Sequence, residues 1–241
     1  MCFHYSLTKE KAEVALLLSA QWDEDLHWQP MFHADGFTFC SMPVVTQREP
    51  NRIQMMQWGL IPHWVKNWQQ AKEIRIQTLN ARSETVFEKN SFRSGIRNAR
   101  CLIPADGFFE WMHHQNKKYP HYISIENKTM FCFAGISSEW TDTDTGEMIQ
   151  TFSILTTEAN SLMARIHNTK KRMPVILPMQ DYHVWLHPDI DADRIKTLMG
   201  PFPEGAMQYY TVSRSISNKK VNTNLLETLN YFQYPELQTL F

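Results

Sequence analysis

The chain has 241 residues, 43% of them hydrophobic and 20% charged, enough apolar material for one domain with a sizeable core. A formal net charge of −1 excludes a globally basic nucleic-acid binder, so any contact with a polyanion has to come from a local patch. The longest apolar stretch, around Val14 to Leu18, is too short to span a bilayer, and the opening MCFHYSLTKE lacks the basic and apolar regions of a secretory signal.

Taken in chain order, Thr8 is placed to cap a helix over 9–20, with Ala12, Ala15, Leu16 and Ser19 on one side. Residues 37–46 alternate as a strand, and 52–60 read as a second strand ending at a glycine. A loop or irregular helix is expected over 64–73 and a helix over 91–98. Strands follow over 100–104, 121–125, 130–136 and 151–156. The pattern then predicts a helix over 160–166, a short apolar strand over 173–177 and helices over 180–186 and 191–198, with Pro188 and Pro201 as punctuation. Strands outnumber helices and are not separated by regular helical crossovers. The expected fold is therefore α+β: a strand-rich, mostly antiparallel, barrel-like sheet with peripheral helices, in a single domain over 1–241. Cys40, Cys101 and Cys132 lie in apolar, strand-like runs and read as buried reduced thiols, which points to the cytoplasm. No cofactor or metal motif is present in the cysteine and histidine spacing, and a monomer is the default expectation.

Five positions are rich in chemistry. Cys2 follows the initiator methionine, and loss of Met1 would expose an α-amine and a thiol on adjacent carbons, titrating near ~8 and ~8.5 respectively. Such a 1,2-aminothiol condenses with an aldehyde to an imine and then closes to a thiazolidine; a small apolar residue at a terminus is the plainer reading. The run from Trp58 to Trp64, with Trp68, can stack on bases or fill a core. Asn80, Arg82 and Glu84 form a dense polar segment or a solvated loop. Glu110 sits between Phe109 and Trp111, where desolvation would raise its pKa into the range of general acid–base work, unless it points to water. His167 ends a predicted helix and is followed by Lys170, Lys171 and Arg172, a solvated basic loop or a phosphate-binding one.

Met-Cys at the start, WGLIPHW, NARSET, ADGFFEW, the AGI at Ala134 to Ile136, and His167 with RMPVIL occur in an order that resembles the SRAP family, the SOS-response-associated peptidases also called abasic-site-processing proteins. The resemblance runs from about Cys2 to Asn222. It implies a covalent thiazolidine link between Cys2 and ring-opened abasic sites in single-stranded DNA. It further implies catalytic roles for Glu110 as acid and base, His167 in opening the sugar ring and Asn80 in orienting the reacting groups. Arg82 and Arg172 would contact phosphates, with Arg93 and Lys171 as further cations and Trp64 as a stacking or wedging side chain. The family name also carries a peptidase activity, in which the same residues would release Met1.

The chain departs from the family pattern in three places. Phe3-His4 replaces the usual Gly-Arg, His33 to Gly36 stands where an Asn-x-x-Pro segment is expected, and Asn168 to Lys171 intervene before Arg172. The last departure predicts a displacement of His167 relative to Arg172. Two other readings share part of these residues: an N-terminal-nucleophile cysteine amidohydrolase, favoured if Arg82 and Arg172 are paired or remote, and a noncovalent reader of modified DNA.

Overall fold

The computed structural model describes residues 2–126 and 129–237. In chain order the elements are β1 (His4–Leu7), α1 (Lys11–Leu18), β2 (Gln21–Trp22), β3 (Met31–Asp35), β4 (Ser41–Thr46), β5 (Arg52–Trp58), α2 (Trp68–Arg75), β6 (Asn80–Arg82) and α3 (Arg93–Asn98). Then come β7 (Arg100–Ala105), β8 (Gly107–His114), β9 (Lys117–Ile125), β10 (Phe131–Thr141), β11 (Met148–Glu158), α4 (Ser161–Ile166), β12 (Arg172–Pro174), β13 (Ile176–Leu177), α5 (Tyr182–Leu186), α6 (Ala192–Leu198) and β14 (Met207–Thr211).

Two sheets organise these strands. One runs β12-β11-β10-β7-β4-β5-β2, and a parallel pairing of β5 with β11 closes its centre into a barrel. The other runs β14-β9-β8-β1-β3. Pairing is antiparallel except where β5 and β6 lie beside β11 and β2 beside β5. The barrel strands carry near-continuous buried runs, as in β10 and β11, because each has one face in the barrel and the other under a helix or the second sheet. This is the strand-rich α+β barrel with peripheral helices that the pattern predicts. Arg100, fully buried at the start of β7, donates to the carbonyls of Ile96, Arg97, Trp185 and His187 and so staples α3 and α5 to the barrel.

The turn between β7 and β8 fixes the first strand. Asp106 is buried, and its carboxylate accepts from Ser6 Oγ at 2.5 Å and from the Thr8 N–H at 2.6 Å. A Cβ at Gly107 would stand 2.2 Å from the Tyr122 hydroxyl oxygen, so only glycine lets Tyr122 reach Ser6. Thr8 is thereby committed to Asp106, and the cap of α1 passes to Glu10. The helix packs through Val14 and Leu18, not through the face predicted; Leu16 is 82% exposed and Ser19 takes the left-handed C-cap. The strand predicted over 37–46 is shorter, since Asp35 accepts from the Phe37 N–H and turns 36–38 into a 3-10 helix before β4 begins. The segment 64–73 holds a true helix, α2, capped by Asn67. β1, β3, β6 and β14 are short, and their alternation is too brief to mark them in the sequence.

Candidate active site

Antiparallel pairing of Tyr5 with Phe108 and Ser6 with Gly107 sends the chain before β1 along β8 toward Glu110. Cys2 is fully buried at that end, its Sγ 3.7 Å from the His4 carbonyl oxygen. Burial, and then the Glu110 charge, push the Cys2 thiol far above its usual range, which places thiol and carboxylate in one electrostatic unit. Met1, whose loss the aminothiol chemistry requires, lies outside the described residues.

Glu110 points inward from β8, and burial pushes its carboxyl up to about 7. The aromatic neighbours anticipate this: Phe109 and Trp111 face the other way, toward His33 and His4, and shield the strand from that side. His167 approaches from the end of α4, with Nδ1 3.7 Å from Glu110 Oε1. The same Nδ1 lies 2.9 Å from the Arg172 carbonyl oxygen. A carbonyl only accepts, so Nδ1 carries the proton and Nε2 keeps a lone pair. Burial pulls His167 down to about 4, so the ring is neutral at neutral pH.

The four residues after His167 do not separate it from Arg172. Lys171 adopts a left-handed conformation (φ 50°) and its N–H donates to the His167 carbonyl at 2.8 Å, closing a tight turn. Asn168 anchors the turn on β8: its Oδ1 accepts from the His113 N–H at 3.1 Å and its Nδ2 donates to the His113 carbonyl at 2.8 Å. This clamp was not legible in the sequence, because a lone exposed asparagine carries no signal of its partner. With Asn168→Ala we expect a loss of about 1 kcal/mol of stability, two partly exposed hydrogen bonds, and a looser His167. A urea titration measures the first, and exchange broadening of the His167 ring resonances the second.

Asn80 lies on β6 opposite Ile154 of β11, 7% exposed, and neither its Oδ1 nor its Nδ2 has a hydrogen-bond partner among the described residues. A buried amide with an unused donor and acceptor is costly unless a ligand completes it. Arg82, two residues on, is exposed beside Thr156. Arg172 is different. It is buried, gives a bidentate pair to Glu84, and donates to the Thr156 carbonyl at 2.7 Å and to Thr156 Oγ1 at 3.2 Å. Its fork is engaged by Glu84, the acidic residue of NARSET, and by Thr156. Lys171 is exposed on the turn, and Arg93 is exposed at the start of α3. Trp64 is 46% exposed and donates to the Asn90 carbonyl at 3.4 Å, which sets it near the approach to α3 and not in the core.

A family profile described as SOS response associated peptidase (SRAP) matches residues 1–219. The chain belongs to the SRAP family. It is 37% identical over 184 residues to the abasic site processing protein YoqW of Bacillus subtilis (strain 168), covering 76% of this chain and 79% of that one. It is 36% identical over 193 residues to YoaM of the same organism, another abasic site processing protein, covering 79% and 82%. A crystal structure of a Bacteroides thetaiotaomicron protein superposes with a TM-score of 0.91 at 38% identity, over 96% of this chain and 100% of that chain. The SRAP profile ends at residue 219, yet the chain beyond it is part of the frame around the site. Thr223 Oγ1 bonds His33 Nδ1 at 2.7 Å, His33 Nε2 lies 2.9 Å from His4 Nδ1, and Asn224 Oδ1 accepts from the Phe32 N–H at 2.7 Å. The Phe3-His4 departure is accommodated by these contacts, with the Phe3 ring 4.9 Å from Phe37. Among the described residues, no helix is long and apolar enough to cross a membrane.

Proposed function

We propose that the chain, freed of Met1, processes abasic sites in single-stranded DNA by forming a thiazolidine through Cys2. The convergence of Cys2 and His167 on Glu110, in the middle of β8, carries this reading. The names of the B. subtilis relatives point to the same lesion. The open form of an abasic sugar is an aldehyde. The Cys2 amine adds to it and expels water to give an imine; the thiolate then attacks the imine carbon, the ring closes, and the thiol proton ends on nitrogen.

Each step moves a proton, and Glu110, titrating near 7, is available in both forms at neutral pH. As carboxylate it takes the thiol proton, which removes the negative charge that opposes thiolate formation, so the two groups titrate as a pair. As acid it protonates the departing hydroxyl. His167, neutral with a lone pair on Nε2, accepts a hydrogen bond from the sugar and holds it; protonating the ring oxygen falls to Glu110. Asn80 supplies the amide that orients the amine and the nascent ring. Four free thiols suit a reducing compartment such as the cytoplasm. The test is incubation of Met1-free protein with single-stranded DNA carrying one abasic site, read as a heat-stable crosslinked band; no band means the reading is wrong.

The paired state of Arg172 favours a second reading, an N-terminal-nucleophile cysteine amidohydrolase in which the same thiol and carboxyl attack an amide, Met1 release being its simplest reaction. Salt separates the two. In the DNA reading, Arg82→Ala lowers the slope of log affinity against log salt by about one, while Arg172→Ala leaves the slope unchanged and costs about 2 kcal/mol of stability through lost hydrogen bonds to Thr156 and Glu84. Fluorescence anisotropy on labelled DNA and a denaturant titration read these outcomes; a flat salt response in the parent protein supports the amidohydrolase.

A further inference from the structure

His4 meets Cys2 through its backbone and the rest of the fold through its ring. Its carbonyl oxygen accepts from the Cys2 thiol, with Sγ 3.7 Å away. Its Nδ1 lies 2.9 Å from His33 Nε2 on β3, the two rings stacked at 5.0 Å, and His33 Nδ1 lies 2.7 Å from Thr223 Oγ1. Asp35 sets the direction of this chain. Its Oδ1 stands 3.7 Å from His4 Nδ1, so a proton on that nitrogen is favoured, and a lone pair there would face a carboxyl oxygen. His4 Nδ1 therefore donates to His33 Nε2, and His33, with its proton on Nδ1, donates to the Thr223 hydroxyl. Burial pulls both rings down to about 4, so each is neutral at neutral pH, as alternating donors and acceptors require.

Thr223 belongs to a stretch that ties three strands together. Ser217 Oγ accepts from Trp111 Nε1 of β8 at 3.0 Å. Asn224 Oδ1 accepts from the Phe32 and His33 N–H groups of β3 at 2.7 and 3.3 Å, and Thr228 Oγ1 donates to the Thr223 carbonyl at 2.7 Å. The Phe232 N–H then donates to the Thr211 carbonyl of β14 at 2.8 Å. Phe109 and Trp111, the neighbours of Glu110, place their rings 5.3 Å from His33 and 4.8 Å from His4. The segment 217–232 thus grips the sheet beside Cys2 and beside Glu110. His4 and His33 each stand where the chain departs from the family pattern, and they meet each other and a segment that runs past the profile's end at residue 219.

We propose that His33 is a positioning residue for the Cys2 terminus, joining His4 to Thr223 so that the segment 217–232 straps down the reacting end of the chain. The inference rests on the crosslinking role given to Cys2 above and deepens it. Residue 4 takes the thiol on its carbonyl and is two positions from the amine, so a loosened His4 ring displaces both nucleophiles. Thiazolidine closure needs amine and thiol aimed at one carbon, and such alignment is lost when a distant support gives way by a fraction of an ångström. The loss falls on the rate of the covalent step and leaves DNA binding as it was.

The test compares His33→Ala, which removes the link, with Thr223→Val, which keeps the shape and removes the hydroxyl, both in Met1-free protein. Noncovalent affinity is read by anisotropy on single-stranded DNA carrying a tetrahydrofuran abasic analogue, which has no aldehyde. Crosslinking is read as the rate at saturating abasic-site DNA. That rate should fall about tenfold in His33→Ala and about threefold in Thr223→Val, with affinity unchanged. His33→Gln, whose amide can accept from His4 and donate to Thr223, should recover most of the rate. A saturating rate within about twofold of the parent in His33→Ala overturns the proposal, because misalignment on the scale claimed costs more than that. A loss of affinity in step with the rate also overturns it, since His33 would then be a DNA contact. If His33→Ala does not fold, an unmoved rate in Thr223→Val decides against the proposal. No crosslink from the parent protein counts against the abasic-site reading alone. Backbone amide exchange over residues 3–5 then reads the strap: faster exchange in the variants upholds it, and unchanged exchange overturns it.

Discussion

Cys2→Ala in Met1-free protein eliminates the heat-stable crosslink to abasic-site DNA, a loss of at least about 100-fold against the parent. Cys2→Ser refines the result, since it keeps the α-amine and replaces only the sulfur. The amine still condenses with the aldehyde, so borohydride traps an imine, but the product no longer survives heat, because a hydroxyl does not close a stable five-membered ring as a thiol does. Both variants should fold: Cys2 is fully buried but small, and its loss sits near the ordinary cost of about 1 kcal/mol for a point substitution. An undiminished crosslink with Cys2→Ala would instead assign the chemistry to another nucleophile and leave Cys2 as packing. Unchanged DNA binding together with no covalent product in the parent protein would support a noncovalent reader.

Glu110→Gln carries the second large effect, and it has opposite signs in activity and stability. Glutamine neither takes the thiol proton nor returns one to the departing hydroxyl, so crosslinking should slow by about 100-fold, measured as the initial rate at pH 7. Stability moves the other way. Burial raises the folded-state pKa of Glu110 from 4.5 to about 7, so the native protein holds this proton more tightly than the unfolded chain does. The contribution is fully present below pH 4.5 and is lost as pH rises through about 7, where the carboxyl ionises within the fold. Glu110→Gln removes that titration. Its stability relative to the parent should therefore rise with pH between 5 and 8, by an amount on the order of 3 kcal/mol at the 1.4 kcal/mol per unit scale. Thermal melts of both proteins at pH 5 and pH 8 measure it, and a difference that does not change with pH would remove Glu110 as a buried, proton-holding acid.

The two experiments are linked by the local electrostatics. The Glu110 charge raises the Cys2 thiol further than burial alone, so neutralising position 110 should ease thiolate formation even as it removes the base that takes the proton. A Glu110→Gln protein that alkylates faster at Cys2 yet crosslinks slowly would separate these two roles of one carboxyl.

Chemical identity was written locally. Met-Cys, NARSET, ADGFFEW and the His167 segment mark the candidate side chains and their order, and those stretches also fix the SRAP family, because each motif is contiguous. The barrel-like α+β class was legible as well, since β5, β7, β10 and β11 are long enough for their apolar runs to show. Contacts across the fold were not. Arg172 reads as a free cation beside Lys170 and Lys171, and only tertiary structure brings Glu84 to its fork from 88 positions away. The insertion before Arg172 reads as a displacement, yet Asn168 ties it to His113 and keeps His167 at Glu110. Thr8 reads as a helix cap until Asp106, 98 positions on, takes its hydroxyl. The sequence by itself determined which groups can react. Tertiary structure decided which of them are desolvated, paired or aimed, because burial and hydrogen-bond partners come from strand register and chain reversal, which bring together residues that no local window contains.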